Sequence, residues 1–141
     1  MKTLAVVPDA ERLVVDYLKP ALISRGKDVT IGTNVPATWN PLPISQGGTK
    51  AHILVALDGT PEAEYPIYAA ASVRVTAFAS GSTEAKTLAG LCQGLLLFHS
   101  GGGGIAGIEY LSGILPGEDN ITGAQMASIA VRVNLRYSVI A

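Results

Sequence analysis

The chain has 141 residues and a mass of 14.5 kDa, enough for one domain to bury a core without disulfides or a structural metal. A net charge of −1 and a pI near 6.1 exclude a basic field for gripping nucleic acid or anionic lipid, and one cysteine, Cys92, with only His52 and His99, excludes an internal disulfide and a zinc cluster of ordinary spacing. Charged residues make up only 15% of the chain, against roughly 25% in ordinary domains, so part of the surface is expected to be covered by another subunit.

A membrane is the other possible cover. Thr87 to Ile108 carries no formal charge and contains a GxxxG pair at Gly90 and Gly94, but Gln93, His99, Ser100 and the glycines after them interrupt any apolar span. The amino terminus, MKTLAVVPDAERL, has a lysine and a short apolar patch that Pro8, Asp9 and Glu11 end too soon for a secretory signal. The expectation is a single domain over residues 1–141, made and kept in a cytoplasm, with no membrane contact.

In chain order, Asp9 is placed to cap a first helix with Glu11 in its first turn, and Leu13, Val14, Tyr17, Leu18, Ala21 and Leu22 share one helical face. Gly26 is its natural stop; Pro20 predicts a kink near Asp16 to Lys19 or a break at Lys19. DVTIGT, residues 28–33, predicts a short strand. Residues 34–50 then gather Pro36, Pro41, Pro43, Gly47 and Gly48 around the lone Trp39, a loop whose length suggests a use. Two readings of Trp39 stay open, a ring tucked back on the core and an anchor in a partner's pocket.

AHILVALDG, apolar on both faces, predicts a central strand closed by a turn at Asp58 and Gly59. After TPEAEYP a strand alternates, with Ala71, Val73, Val75 and Ala77 on one face and Ser72, Arg74, Thr76 and Phe78 on the other. A second helix is expected to begin at Ser82 as its cap, with Glu84 in the first turn and a buried stripe of Leu88, Leu91, Cys92 and Leu95 ending at Phe98. Gly90 and Gly94 cost that helix roughly 1 kcal/mol each, which a close approach to the sheet or to another subunit would explain. Cys92 reads as a small core residue, with no basic group near it in sequence.

IAGIEYLSG then predicts a strand, ILPGEDNITG a turn or loop, and residues 125–137 the most regular strand of the chain. On that last strand Ala127, Ile129, Val131, Val133, Leu135 and Tyr137 form one face, and Ser128, Arg132, Asn134 and Arg136 the other. The order helix, three strands, helix, two strands predicts an α+β fold, a mainly antiparallel sheet of about four to five strands with two helices packed on one face.

Between the second helix and the next strand, FHSGGGGIAG places Gly102, Gly104 and Gly107 at the GxGxxG spacing of a dinucleotide fingerprint. That fingerprint needs a strand before the glycines and a helix after them, so that amide groups face the phosphate. Here the order is reversed, and phosphate would meet the carbonyl end of a helix. No acidic residue follows at the ribose distance and no lysine follows as in a Walker loop. Glu109, Glu118 and Asp119 read as solvated carboxylates, His99 as a histidine at a helix end, and Ser100 has no orienting acid. No catalytic, cofactor or metal site is therefore assigned. A small nucleotide-binding or ligand-binding domain remains the rival from a different class.

Taken together, these elements resemble the tail terminator proteins of long-tailed bacteriophages, also called minor tail or tail completion proteins. The likeness runs over nearly the whole chain and lies in the order of features: DAERLVVDYLKPAL, then VTIGTNVP, then ASVRVTAFASGSTEAKTLAGL with Glu84 and Ala85 opening the second helix, then a glycine link, IAGIEYLSG and MASIAVRVNLR. The long glycine run and Pro20 depart from the family's pattern. The resemblance implies a structural virion protein without catalysis or cofactor. It implies a ring, typically a hexamer, that caps the tail tube at the neck end, stops polymerisation of the tube protein and receives the head-tail connector or head completion protein. Another head-to-tail joining protein is the alternative within this class. A near-neutral chain suits a ring through which DNA passes without sticking. Candidate subunit or tube contacts are Trp39, Arg74, Gly101, Gly102, Gly103, Gly104, Arg132, Asn134 and Arg136, with ordinary solvated arginines as the alternative.

Overall fold

The computed structural model describes residues 4–40, 48, 50–58, 62–64, 68–119 and 123–140. Along the chain these form β1 (Leu4–Val6), α1 (Ala10–Ser24), β2 (Thr30–Gly32), β3 (His52–Leu57), β4 (Glu62–Glu64), β5 (Tyr68–Ala79), α2 (Ser82–Leu97), β6 (Ile105–Glu118), β7 (Gln125–Leu135) and β8 (Ser138–Ile140). The main sheet runs β2-β3-β5-β7-β6, with β4 paired to the start of β5, and β1 and β8 form a separate two-stranded ribbon. The class is α+β. Every pairing is antiparallel except β2 with β3, whose connection is long enough for the crossover that parallel strands need.

The sheet's core face follows from alternation. Val73, Val75 and Ala77 on β5 and Ala127, Ile129, Val131 and Val133 on β7 are fully or almost fully buried, joined by Ile53 and Val55 from β3. Both helices cover this face. Asp9 caps α1 by accepting the Arg12 amide at 3.3 Å, and Val14, Val15, Leu18 and Leu22 bury against the sheet with Leu13, Tyr17 and Ala21 partly buried beside them. The helix continues through Pro20 to Ser24, so the expected break at Lys19 does not occur. Pro20 and Asp16 are both exposed, and water can satisfy the carbonyl that the proline leaves without a donor. Gly26, at φ +72°, ends the helix as expected.

Three other expectations are corrected. Gly81 in extended conformation is the N-cap of α2, with no side-chain capping bond, and Ser82 is the first helical residue. Ala85, Leu88, Ala89, Cys92, Leu95 and Leu96 make its buried stripe, whereas Leu91 is partly buried and Phe98 is 82% exposed, because the helix ends before its ring can turn under the sheet. Residues 114–118, expected in a loop, continue β6 and pair with β7 as far as Glu118 with Gln125. The short strands β1, β4 and β8 were not expected. Gly59 and residues 41–47 and 120–122, which include Pro41, Pro43 and Gly47, lie outside the described residues.

Replacing Pro20 by alanine should restore one helical hydrogen bond and remove a ring clash, a gain partly offset by a freer unfolded chain. A net stabilisation of about 1–2 kcal/mol is expected, read as a higher urea midpoint; an unchanged midpoint would show that the helix already accommodates the ring without cost.

Candidate functional site

The glycine run is an ordered turn. Gly101, Gly102, Gly103 and Gly104 have φ of +93°, +121°, +61° and +96°, four successive positive values that only glycine adopts readily. The Gly102 amide donates to the Ile105 carbonyl at 2.7 Å, and the Ile105 amide donates back to Gly102 at 3.1 Å. The Gly101 amide donates to Nδ1 of His99 at 2.8 Å, and the Arg136 amide donates to the Gly104 carbonyl at 2.8 Å, tying the turn to the end of β7. A Cβ on Gly104 would stand 3.2 Å from Leu13 of α1, and one on Gly101 would stand 3.2 Å from the Ala106 carbonyl.

Because Nδ1 of His99 accepts this hydrogen bond, the neutral tautomer that fits carries its hydrogen on Nε2. The ring meets Tyr17 edge-on, with centroids 4.6 Å apart, and the Tyr17 hydroxyl donates to the Leu95 carbonyl at 2.7 Å. Beside them lies a cleft of about 390 Å3 lined by Leu13, Asp16, Tyr17, His99, Gly102, Gly103 and Ile105. The amides of Gly101 and Gly102, the groups a phosphate would need, already have partners, and the cleft carries the Asp16 carboxylate. The helix before the turn and the strand after it lie in the order expected from the sequence.

The face of the sheet away from the helices holds the polar candidates. Cross-strand register sets Ser72 opposite Arg132, Arg74 opposite Ala130 and Ala70 opposite Asn134, so Arg74, Arg132 and Asn134 share this face across β5 and β7. Arg74 donates from Nη1 to the Ser128 hydroxyl at 3.1 Å and from Nη2 to the Asp58 carboxylate at 2.9 Å. Arg132 lies 3.9 Å from the Glu109 carboxylate across the β6–β7 pair. The arginines are held in place by their own chain. Arg136 stands apart from them, exposed just beyond β7 and next to the glycine turn.

Trp39 is turned inward. Its Nε1 donates to the Lys50 carbonyl at 2.9 Å and its ring meets Phe78 edge-on at 5.8 Å, over the far end of β5. His52, missed in the sequence, pins the start of this loop. The Asn34 carbonyl can only accept, so Nε2 donates to it at 2.7 Å and Nδ1 accepts from the Thr30 hydroxyl at 2.6 Å. Burial holds the His52 imidazole below its ordinary value of 6.5, against the opposing pull of the Asn34 bond. Cys92 is fully buried, and its thiol is pushed up to about 12 by that burial, which leaves it a core residue without a thiolate.

Also missed was the outer edge of the sheet, where Tyr110, Leu111, Ile114 and Leu115 of β6 are exposed. Ile114 reaches back to α2, where a Cβ on Gly90 would stand 3.3 Å from its Cδ1, and the Gln93 side chain donates to the Ser112 carbonyl at 2.8 Å. Gly90 therefore serves a close approach to the sheet; Gly94 has open space around it. Comparison with protein-family models gives no match for this chain, and comparison with curated proteins gives none. No helix among the described residues is long and apolar enough to cross a membrane.

Two outcomes follow from this geometry. Gly104→Ala combines a positive φ with a contact against Leu13 and should cost about 1–3 kcal/mol in denaturant unfolding, whereas Gly103→Asn, at φ +61° in open space, should cost far less; equal losses would mean that backbone conformation does not set the turn. For His52, the unfolded chain takes up its proton near the ordinary value and the folded chain only at lower pH. Its contribution is therefore complete above about pH 6.5 and lost as pH falls toward the depressed folded value. Unfolding free energy should fall over that acid limb, and His52→Gln should flatten it; an equal slope in the variant would assign the limb to other groups.

Proposed function

We propose that this chain is a tail-terminator-like structural protein. It forms a ring, hexameric by analogy with the family it resembles, that caps a phage tail tube, ends tube polymerisation and receives the head connector. The observation that carries the proposal is the order of elements around one sheet. An opening helix, a short strand, a strand pair, a second helix and a long closing hairpin leave one face covered by both helices and the other without a helix among the described residues. That order is the one by which the sequence resembles the family.

Three further features support it. A chain with only 15% charged residues leaves apolar groups such as Ile23, Phe98 and Tyr110 at its surface, as suits a subunit enclosed by neighbours. The open sheet face presents arginines already fixed by Asp58, Ser128 and Glu109, so little side-chain entropy is lost when a partner docks on them. A net charge of −1 gives the ring no strong attraction for the DNA that would traverse it.

Electron microscopy of the purified protein, alone and with tail tubes, tests the proposal: rings of about six subunits, or caps on tube ends, are expected. Micromolar binding of labelled ATP or NAD with no ring or cap would replace it by a ligand-binding role. Within a ring, the double substitution Arg132→Ala and Arg136→Ala should shift sedimentation toward the monomer; an unchanged profile removes both residues from the interface.

A further inference from the structure

β6 forms one whole edge of the main sheet. Its inner side pairs with β7 from Ile105 to Glu118, and its outer side meets no strand among the described residues. Monomeric proteins guard such an edge with brevity, lysines, proline or bulges. The opposite edge strand, β2, has 3 residues, whereas β6 has 14. From Ile105 to Leu115 it contains no lysine, arginine or proline, and Glu109 is its one charge. Tyr110, Leu111, Ile114 and Leu115 on it are 59%, 46%, 40% and 51% exposed. Register irregularities between Ile105 and Gly107 and around Ser112, with Pro116 near the end, are its protections, and they leave Gly107 to Tyr110 in unbroken pairing with Asn134 to Val131. Over that stretch the outward amides and carbonyls, which water can satisfy, are also spaced to pair with another extended chain.

The other end of the same sheet offers a matching edge. β2 covers β3 only from His52 to Leu54, so Val55 to Leu57 have no outer strand among the described residues, and Leu57 is 40% exposed. Strand direction alternates along β3, β5, β7 and β6, so β6 runs opposite to β3. A neighbour generated by rotation about an axis along the strands therefore brings its β3 antiparallel to β6, the orientation that both edges need. One subunit carries two unlike open edges, which is the requirement of a head-to-tail joint.

We infer that β6 of one subunit adds to the β3 edge of a second copy of this chain, joining the sheets of successive subunits into one continuous sheet. The closure of that sheet into a ring rests on the function proposed above. The joint itself rests on the two edges alone. It places Tyr110, Leu111 and Leu57, three of the exposed apolar groups, at the seam.

Two sets of variants test it. Leu111→Lys with Leu115→Lys puts two charges on exposed positions of β6, and should leave circular dichroism and the melting temperature unchanged while shifting sedimentation from assembly to monomer. Glu109→Cys with Ala56→Cys in one chain, treated with a short bis-maleimide, should give a ladder of cross-linked oligomers, and neither single variant should do so; buried Cys92 does not react. Cross-linking of Glu109→Cys alone would show a two-fold β6 contact and overturn the inference, as would assemblies that persist in the lysine variant, which leave the ring reading standing. A ladder from open filaments without closed rings would uphold the joint and overturn the ring. A wild-type chain that stays monomeric, alone and on tubes, overturns both.

Discussion

The pairing of β5 with β7 along the whole 11-residue length of β7 is the constraint on which the rest of the structure depends. Both strands alternate, so once they pair in register Val73, Val75 and Ala77 of β5 and Ala127, Ile129, Val131 and Val133 of β7 fall on one face. A slip of one residue would put Arg74, Arg132 and Asn134 into the core and Val73, Val131 and Val133 into water. The cost of burying unpaired guanidinium groups excludes that alternative. The register therefore dictates where α1 and α2 pack, and it puts Arg74, Arg132 and Asn134 on the face that the helices leave uncovered.

Helix placement in turn fixes the glycine turn. α2 lies on β5, β6 and β7 through its buried stripe, and its close approach to Ile114 is possible because position 90 carries no side chain. The chain must then leave the end of α2 and enter β6 beneath α1 within a few residues. Positive φ at four successive positions makes that reversal, and the absence of a side chain at Gly104 lets the backbone pass under Leu13. The amides of Gly101 and Gly102 are engaged in holding this geometry together. A feature that looks in sequence like a ligand cradle is, in the folded chain, the turn that carries the backbone from α2 into β6.

What was legible in the sequence was what is local and periodic. The faces of β5 and β7, the cap at Asp9, the stop at Gly26 and the reversed order of helix, glycines and strand could all be read because each depends on neighbours a few residues away. The second half of β6 could not. Gly113, Pro116 and Gly117 imitate a turn, and the register irregularities around Ser112 break the alternation that would have revealed a strand. β1 and β8, at three residues each, have no period to detect and exist through their mutual pairing. The partners of Arg74 and His52 were equally invisible, since Asp58 reaches Arg74 only through the β3–β5 register and Asn34 reaches His52 only by the path of a loop.

The same logic explains why the candidate contact residues separate into two kinds. Trp39, Arg74 and Arg132 stand out in sequence because they are large or charged, yet each is already engaged by its own chain. The groups without a partner strand among the described residues are elsewhere, on the backbone edge of β6 with exposed apolar side chains beside it, and a composition count registers them only as missing charge. A low-charge chain can shield such an edge in water or complete it with another strand. This one has left out the lysines and early proline that would shield it, and has kept the opposite edge of the sheet short enough for a neighbour to reach β3. Specificity for a partner then comes from strand direction and register, which the antiparallel order of the sheet sets in advance.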